Sequence, residues 1–189
     1  MRRRAFTTFL TTFLTTFLAA ALAISASGCS KNEFTQLFGW PPDLAPRAER
    51  ADKLVVRKAQ RRLELYRSNK LLAAFQVELG FAPSGAKRRR GDGKTPEGAY
   101  RIVHRNADSK FHLSLAINYP NAADKERAAA QGVKPGGGIV IHGGSGLFDH
   151  AKGELRGDDW TEGCIALTNE EMEWVWTRVA TGTPIEIQP

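Results

Sequence analysis

A mostly β domain with one or two short helices is the fold that residues 52–189 predict. Three observations predict it: short runs alternating apolar and polar residues with period two, turn signals between them, and only two stretches with helical spacing. Lys53–Arg57 is short and β-branched, Arg62–Arg67 alternates, and Leu71–Leu79 is a further apolar run. Ser68-Asn69-Lys70 has tight-turn composition, so these segments read as a meander. Thr95-Pro96-Glu97-Gly98 is a turn leading into a strand over Ala99–His104, and Phe111–Asn118 alternates again. Asn121–Ala130, alanine-rich and charged, predicts a surface helix. Ile139-Val140-Ile141 reads as a buried strand delivering His142 into the turn Gly143-Gly144. Thr168-Asn169-Glu170-Glu171 matches a capping box. The helix it opens sets Met172, Val175, Trp176 and Val179 at helical spacing, with Met172 and Trp176 expected in the core. Pro184–Ile187 closes the domain as a strand.

Residues 1–29 read as a secretion signal rather than as part of the fold. Arg2, Arg3 and Arg4 form a charged start, Ala5–Ile24 carries no charge, and small residues lead into Cys29. A membrane anchor competes, because the apolar run is nearly as long as a bilayer requires. The small residues before Cys29 favour processing, and the segment resembles a bacterial lipoprotein signal whose cysteine becomes the lipidated first residue. Ala26 stands where that pattern commonly has Leu. Cleavage near Ser27 without lipidation would leave a soluble periplasmic protein with two thiols. Residues 30–51, with Pro41, Pro42 and Pro46 among mixed charges, read as a tether. Docking of Phe34, Leu37, Phe38 and Trp40 on the domain or on lipid is the alternative.

Without the signal about 160 residues remain, enough for one domain with a proper core. The chain carries 27 Lys plus Arg against 20 Asp plus Glu, and three of the arginines fall in the signal. A modest positive balance suits an exported protein beside anionic envelope polymers. No nucleic-acid partner is expected. His104, His112 and His150 make no ligand spacing with the cysteine that remains after Cys29, so no metal is expected.

The chemistry gathers at Cys164, in the run Asp159-Trp160-Thr161-Glu162-Gly163-Cys164-Ile165-Ala166-Leu167. With Cys29 consumed by lipidation, Cys164 is an unpaired thiol in an exported chain. A thiol attacks carbonyls as the thiolate and needs a lowered pKa or an adjacent base. His142 supplies imidazole. Gly163 lets substrate approach the backbone, and the amides of Gly163 and Cys164 could stabilise an oxyanion. Against this stand a small buried hydrophobe for Cys164 and a core histidine for His142; glycines flanking both make the coincidence less credible.

Ile141-His142-Gly143-Gly144 followed by Thr161-Glu162-Gly163-Cys164-Ile165 resembles the signature of the L,D-transpeptidase catalytic domain, the YkuD family. Lys94-Thr95-Pro96-Glu97-Gly98 resembles that family's K-T-P-x-G turn, and the order of segments fits from about Asp52 to Gln188. The resemblance implies a β-sandwich or barrel-like fold and remodelling of peptidoglycan stem peptides, with no metal or organic cofactor. It implies Cys164 as nucleophile, His142 as general base, Gly143 orienting His142 through its carbonyl, and Gly163 and Thr161 in support. Peptidoglycan stem peptides are the implied partner, with peptidoglycan-linked lipoprotein and a membrane, through the lipid anchor, as further ones. Ser30 after Cys29 points by analogy to the outer membrane.

Two departures stand out. Glu162 replaces the family's usual histidine before the Gly-Cys pair, and a carboxylate beside a thiol raises its pKa. It either faces solvent or influences acceptor choice. Ala166 stands where the family often has Arg or Asn, so Arg156, Arg88 or Lys94 is expected to hold the anionic donor. The basic run Lys87-Arg88-Arg89-Arg90 otherwise reads as a solvated loop. The Trp-Thr-x-Gly-Cys-Ile-Ala-Leu version resembles a branch with members that release lipoproteins from peptidoglycan, which keeps hydrolysis as the alternative to transpeptidation. A sortase-like enzyme would need an arginine on a strand after the cysteine, and Arg178 falls in a helical pattern. A peptidoglycan-binding lipoprotein without catalysis would tolerate loss of Cys164.

Overall fold

The computed structural model describes residues 39–144 and 158–189. Its regular elements are β1 Lys53–Arg57, β2 Arg62–Arg67, β3 Lys70–Gln76, β4 Gly98–Ser109, β5 His112–Ile117, α1 Ala122–Ala130, β6 Val140–His142, β7 Ile165–Ala166, α2 Asn169–Arg178 and β8 Pro184–Gln188. The protein is mostly β with two helices. The described strands form a sheet in the order β3-β2-β1-β8-β4-β5-β6-β7.

Local chemistry accounts for most of the meander. Ser68 and Asn69 take φ of 48° and 62°, the left-handed pair that a two-residue hairpin turn requires. The continuous apolar run of β1 has a reason: it is an interior strand between β2 and β8, and both its faces are covered, so Leu54, Val55 and Val56 are all buried. α2 opens on the expected capping box: Glu171 N–H donates to Thr168 Oγ1 at 3.2 Å and Thr168 N–H to Glu171 Oε2 at 3.1 Å. Met172, Val175 and Trp176 are buried in the common core, each contributing about 1.5–3 kcal/mol of transfer free energy.

Three differences from the sequence reading shape the site. The apolar run Leu71–Leu79 is not one strand. β3 ends at Gln76, and the chain then leaves β2 to form bridges Glu78↔Ala166 and Gly80↔Thr161. Val77 and Leu79 are buried by that crossing, while Leu71 and Leu72 stay exposed on the sheet edge. β4 runs five residues past His104 although Arg105–Ser109 is polar, because the ladder to β5 continues. The Arg105 guanidinium lies 3.8 Å from the Trp176 ring centroid and donates to Trp176 O at 2.7 Å. β7 is two residues long and pairs with β6 through Ile141↔Ile165 and His142↔Ala166. No periodicity can show so short a strand.

The second half of the expected tether lies against the domain. Trp176 Nε1–H donates to Pro42 O at 2.9 Å, Ala45 N–H to Thr177 O at 2.7 Å and Ala51 N–H to Arg178 O at 2.9 Å. Trp40 packs against His112, the rings tilted at 50° with centroids 4.8 Å apart. Pro46 leads into a single 3-10 turn, Arg47–Glu49, and backbone groups on either side of that turn pair with the end of α2. The expected signal, Cys29, Phe34, Leu37, Phe38, His150 and Arg156 lie outside the described residues.

Candidate active site

The thiol sits on a turn clamped at both ends. Upstream, Asp159 accepts from Arg61 Nε at 2.9 Å and Nη2 at 2.7 Å, and its Oδ1 accepts Leu79 N–H at 2.9 Å. Thr161 N–H then donates to Leu79 O at 3.1 Å and Phe81 N–H to Thr161 O at 2.9 Å. Downstream, Glu78 and Ala166 exchange N–H···O bonds of 3.0 and 2.8 Å. Between the clamps, Thr161 Oγ1 accepts Gly163 N–H at 3.1 Å and donates to Cys164 O at 2.9 Å. Thr161 therefore builds the turn that carries Cys164. It also corrects one expectation, since the Gly163 amide is committed to Thr161 and is not free to hold an oxyanion.

Gly163 has a different necessity. Its φ is +124°, and a Cβ there would lie 2.4 Å from Lys94 O. Gly80 meets the same crowding, its Cβ position falling 2.1 Å from Gly93 O and 2.9 Å from Gly163 Cα. The Lys94–Gly98 turn thus packs beneath the nucleophile loop, fixed by Gly80 N–H donating to Thr95 Oγ1 at 3.1 Å. Lys94 serves here through its backbone; its ammonium binds Ser84 O.

The imidazole is held by other means. His142, 1% exposed, ends β6 between β5 and β7. Its Nδ1 lies 2.6 Å from Gly143 O, and because a carbonyl only accepts, Nδ1 carries the proton and Nε2 is left unprotonated in the neutral ring. The Gly143-Gly144 backbone is pinned in turn: Gly144 N–H donates to Asn169 Oδ1 at 2.8 Å and Gly143 N–H to Leu113 O at 3.3 Å. A Cβ on Gly143 would lie 2.6 Å from Asn169 Oδ1. Phe111 flanks the imidazole at 4.5 Å between centroids and Trp160 meets it edge-on at 5.8 Å. Burial pushes the His142 pKa below its ordinary 6.5, opposed by the bond to Gly143. Arg61, Phe111 and Asn169 carried no motif signal. Asn169 was visible only as the residue after a helix cap.

Cys164 and His142 open onto one cleft of about 750 Å³, walled by Phe111, Trp160, Gly136–Gly138 and the cations Lys87, Arg90 and Lys110. Cys164 Sγ lies 3.6 Å from Gly138 O. Burial pushes the thiol pKa up; the Val140 amide and the Lys87 charge pull it down, and Glu162 pushes it up. Lys87 is itself buried and paired to Asp92 at 2.7 Å. Burial would raise the Asp92 pKa, but Lys87 and the amides of Arg89, Arg88 and Lys94 outweigh it and bring it to about 2. Glu162 is exposed at the cleft wall. The cations expected to face the thiol are corrected as well: Arg88 lines a different groove and Lys94 points to Ser84, while Lys87 and Arg90 of the supposed solvated run line the cleft. Among the described residues, no three of His, Cys, Asp or Glu gather as a metal site.

A cleft pairing a buried imidazole with a thiol on a glycine turn, set on a mostly β fold, defines a candidate cysteine acyl-transfer site. The family profile described as the L,D-transpeptidase catalytic domain, YkuD, matches residues 51–187, and the chain belongs to that family. It is similar to YafK of Escherichia coli (strain K12), itself described only as a candidate L,D-transpeptidase, with 32% identity over 138 residues covering 70% of this chain and 48% of YafK. The chain thus spans about half the length of the curated relatives it matches. The helical cell shape determining protein Pgp2 from Campylobacter jejuni superposes with a TM-score of 0.55 at 27% identity, over 72% of this chain and 47% of Pgp2. Bdellovibrio bacteriovorus Bd1075 shares the fold with a TM-score of 0.52 at 23% identity, over 77% of this chain and 50% of its own.

Proposed function

We propose that this chain is a cysteine acyl-transferase acting on peptidoglycan stem peptides through a Cys164 thioester. The observation that carries the reading is the commitment of His142 Nδ1 to Gly143 O, which leaves Nε2 unprotonated in the cleft that also holds Cys164. Burial favours the neutral forms of both groups, thiol and imidazole. The proton therefore moves during attack, not before it: Cys164 Sγ bonds to the carbonyl carbon of a diaminopimelate residue as His142 Nε2 takes the thiol proton. The C–N bond to the terminal D-alanine then breaks, and His142 returns the proton to the departing amine. The Cys164 amide is the oxyanion donor that the turn leaves for this step. An acceptor amine from a second stem attacks the thioester, gives its proton to His142, and releases the thiol with a new cross-link.

Water in place of the amine gives hydrolysis, which trims stems or releases peptidoglycan-linked lipoprotein. Glu162 at the cleft wall supports the amine, because a carboxylate there attracts an ammonium acceptor. The N-terminal signal supports an envelope location on the periplasmic side with Cys29 lipidated, and the likeness to Pgp2 supports a part in cell shape. Labelled palmitate that enters a Cys29→Ala variant as readily as the parent would sink the anchor.

The test of the reaction incubates the full chain and its Cys164→Ala twin with disaccharide-tetrapeptides and with sacculi carrying bound lipoprotein, read by mass spectrometry. Cross-linked dimers or D-amino-acid exchange absent from the twin are the expected result. Released lipoprotein or trimmed stems without new bonds would make the enzyme a hydrolase. Identical products from both proteins would overturn the catalytic reading.

A further inference from the structure

A second groove, of about 760 Å³, lies where β1, β4 and β8 meet. Tyr100, Ile185 and Ile187 contribute an apolar floor. The basic loop borders both this groove and the Cys164 cleft: Ala86 and Arg88 line this groove, while Lys87, Arg90 and Gly91 line the other. The run Lys87–Arg90 is thus a partition with cations on both sides.

The charges of the groove do not cancel internally. Its side-chain carboxylates are matched, Glu186 to Lys53 at 2.9 Å and Glu97 to the buried Lys58 at 2.7 Å. Arg127 is matched too, to Asp124. Arg88 and Arg101 have no carboxylate partner among the described residues. Both stand on fixed backbone, since Arg88 N–H donates to Asp92 Oδ2 at 2.7 Å and Arg101 N–H to Asn118 Oδ1 at 2.8 Å. Arg101 Nη1–H also donates to Gly182 O at 3.2 Å, which orients its guanidinium. A planar guanidinium takes a carboxylate through two parallel bonds, and an apolar floor takes the aliphatic part of a peptide.

We propose that this groove binds the carboxylates of an acidic peptide, a second stem of the same polymer whose neighbouring stem enters the Cys164 cleft. The proposal rests on the peptidoglycan reading above. Its consequence is that the enzyme prefers polymer to isolated stems, because two adjacent sites on one strand gain from effective concentration.

Co-sedimentation with sacculi tests it, using the full chain with Cys164→Ala so that no substrate is consumed. Adding Arg88→Gln and Arg101→Gln should weaken binding about tenfold, and sacculi with amidated carboxylates should bind the parent about as weakly. Equal binding by parent and double variant would overturn the proposal. So would undiminished binding to amidated sacculi, which would point to phosphate or sugar instead. With Cys164 intact, the two arginine changes should leave turnover of soluble disaccharide-tetrapeptide unchanged; a parallel loss there would mean that they act through the cleft or the fold. If the intact protein turns over no tetrapeptide while arginine-dependent binding to sacculi persists, the reaction assigned above fails and the groove stands.

Discussion

The two walls of the candidate active site are built on opposite principles. The thiol wall is a local construction: within four residues, Thr161 ties the Gly163 amide and the Cys164 carbonyl into one turn. The imidazole wall is assembled from afar. His142 takes its tautomer from Gly143, Gly143-Gly144 is pinned by Asn169, and Phe111 flanks the ring from the start of β5. Even the segment before the family domain contributes, because Trp40 packs against His112, whose Cβ lies 3.2 Å from the Cβ position of Gly143. A nucleophile needs a rigid turn, which a few residues can make. A buried base needs its surroundings dried and its proton fixed, which takes several elements.

The largest expected effect breaks the local wall. Gly163→Ala meets both a φ of +124° and the Lys94 carbonyl, so the loop must shift. A displacement near 1 Å costs about 10²-fold in rate. We expect at least about that loss in turnover of disaccharide-tetrapeptide, with a lowered melting temperature. Activity within about threefold of the parent would show that the turn adapts.

A smaller effect tests the distant wall. Asn169→Ala frees Gly144 and loosens the Gly143 carbonyl, so kcat should fall about tenfold, or about 1.4 kcal/mol, with KM little changed. Asn169→Asp keeps the acceptor oxygen and should recover most of the rate. The pH profile separates positioning from simple damage. In the parent, activity falls as pH drops through the depressed His142 pKa, below 6.5, because the protonated ring cannot accept the thiol proton. The Gly143 bond raises that pKa, so loosening it should move the acid limb lower still. An acid limb at the same pH would assign Asn169 to stability alone.

The smallest effect concerns charge on the thiol wall. Glu162 pushes the Cys164 pKa up, so Glu162→Gln should lower it and speed alkylation by iodoacetamide near pH 8 about twofold. Because Glu162 is exposed, the difference should vanish in 1 M salt, where the screening length is about 3 Å. Slower alkylation would mean that the carboxylate acts through something other than its charge.

The comparison also marks what the chain by itself determined. The β-branched run of β1, the alternation of β2, the hairpin at Ser68-Asn69, the capping box of α2 and the glycine-flanked Cys164 and His142 all depend on neighbours in sequence. Their period and turn chemistry could be read directly. The structure alone decided the rest. Glu78–Gly80 leaves the hairpin because the Cys164 turn offers it unpaired backbone, and β7 exists only because β6 lies beside it. Lys87 faces the cleft although it sits in a run of four cations, because Asp92, five residues on, neutralises it in a buried pair. Phe111 reaches the imidazole, Asn169 the Gly144 amide and Trp40 the neighbouring His112 ring, from three distant places in the chain. Contacts at such separations obey no spacing rule, since they are chosen by which surfaces the packed sheet brings together.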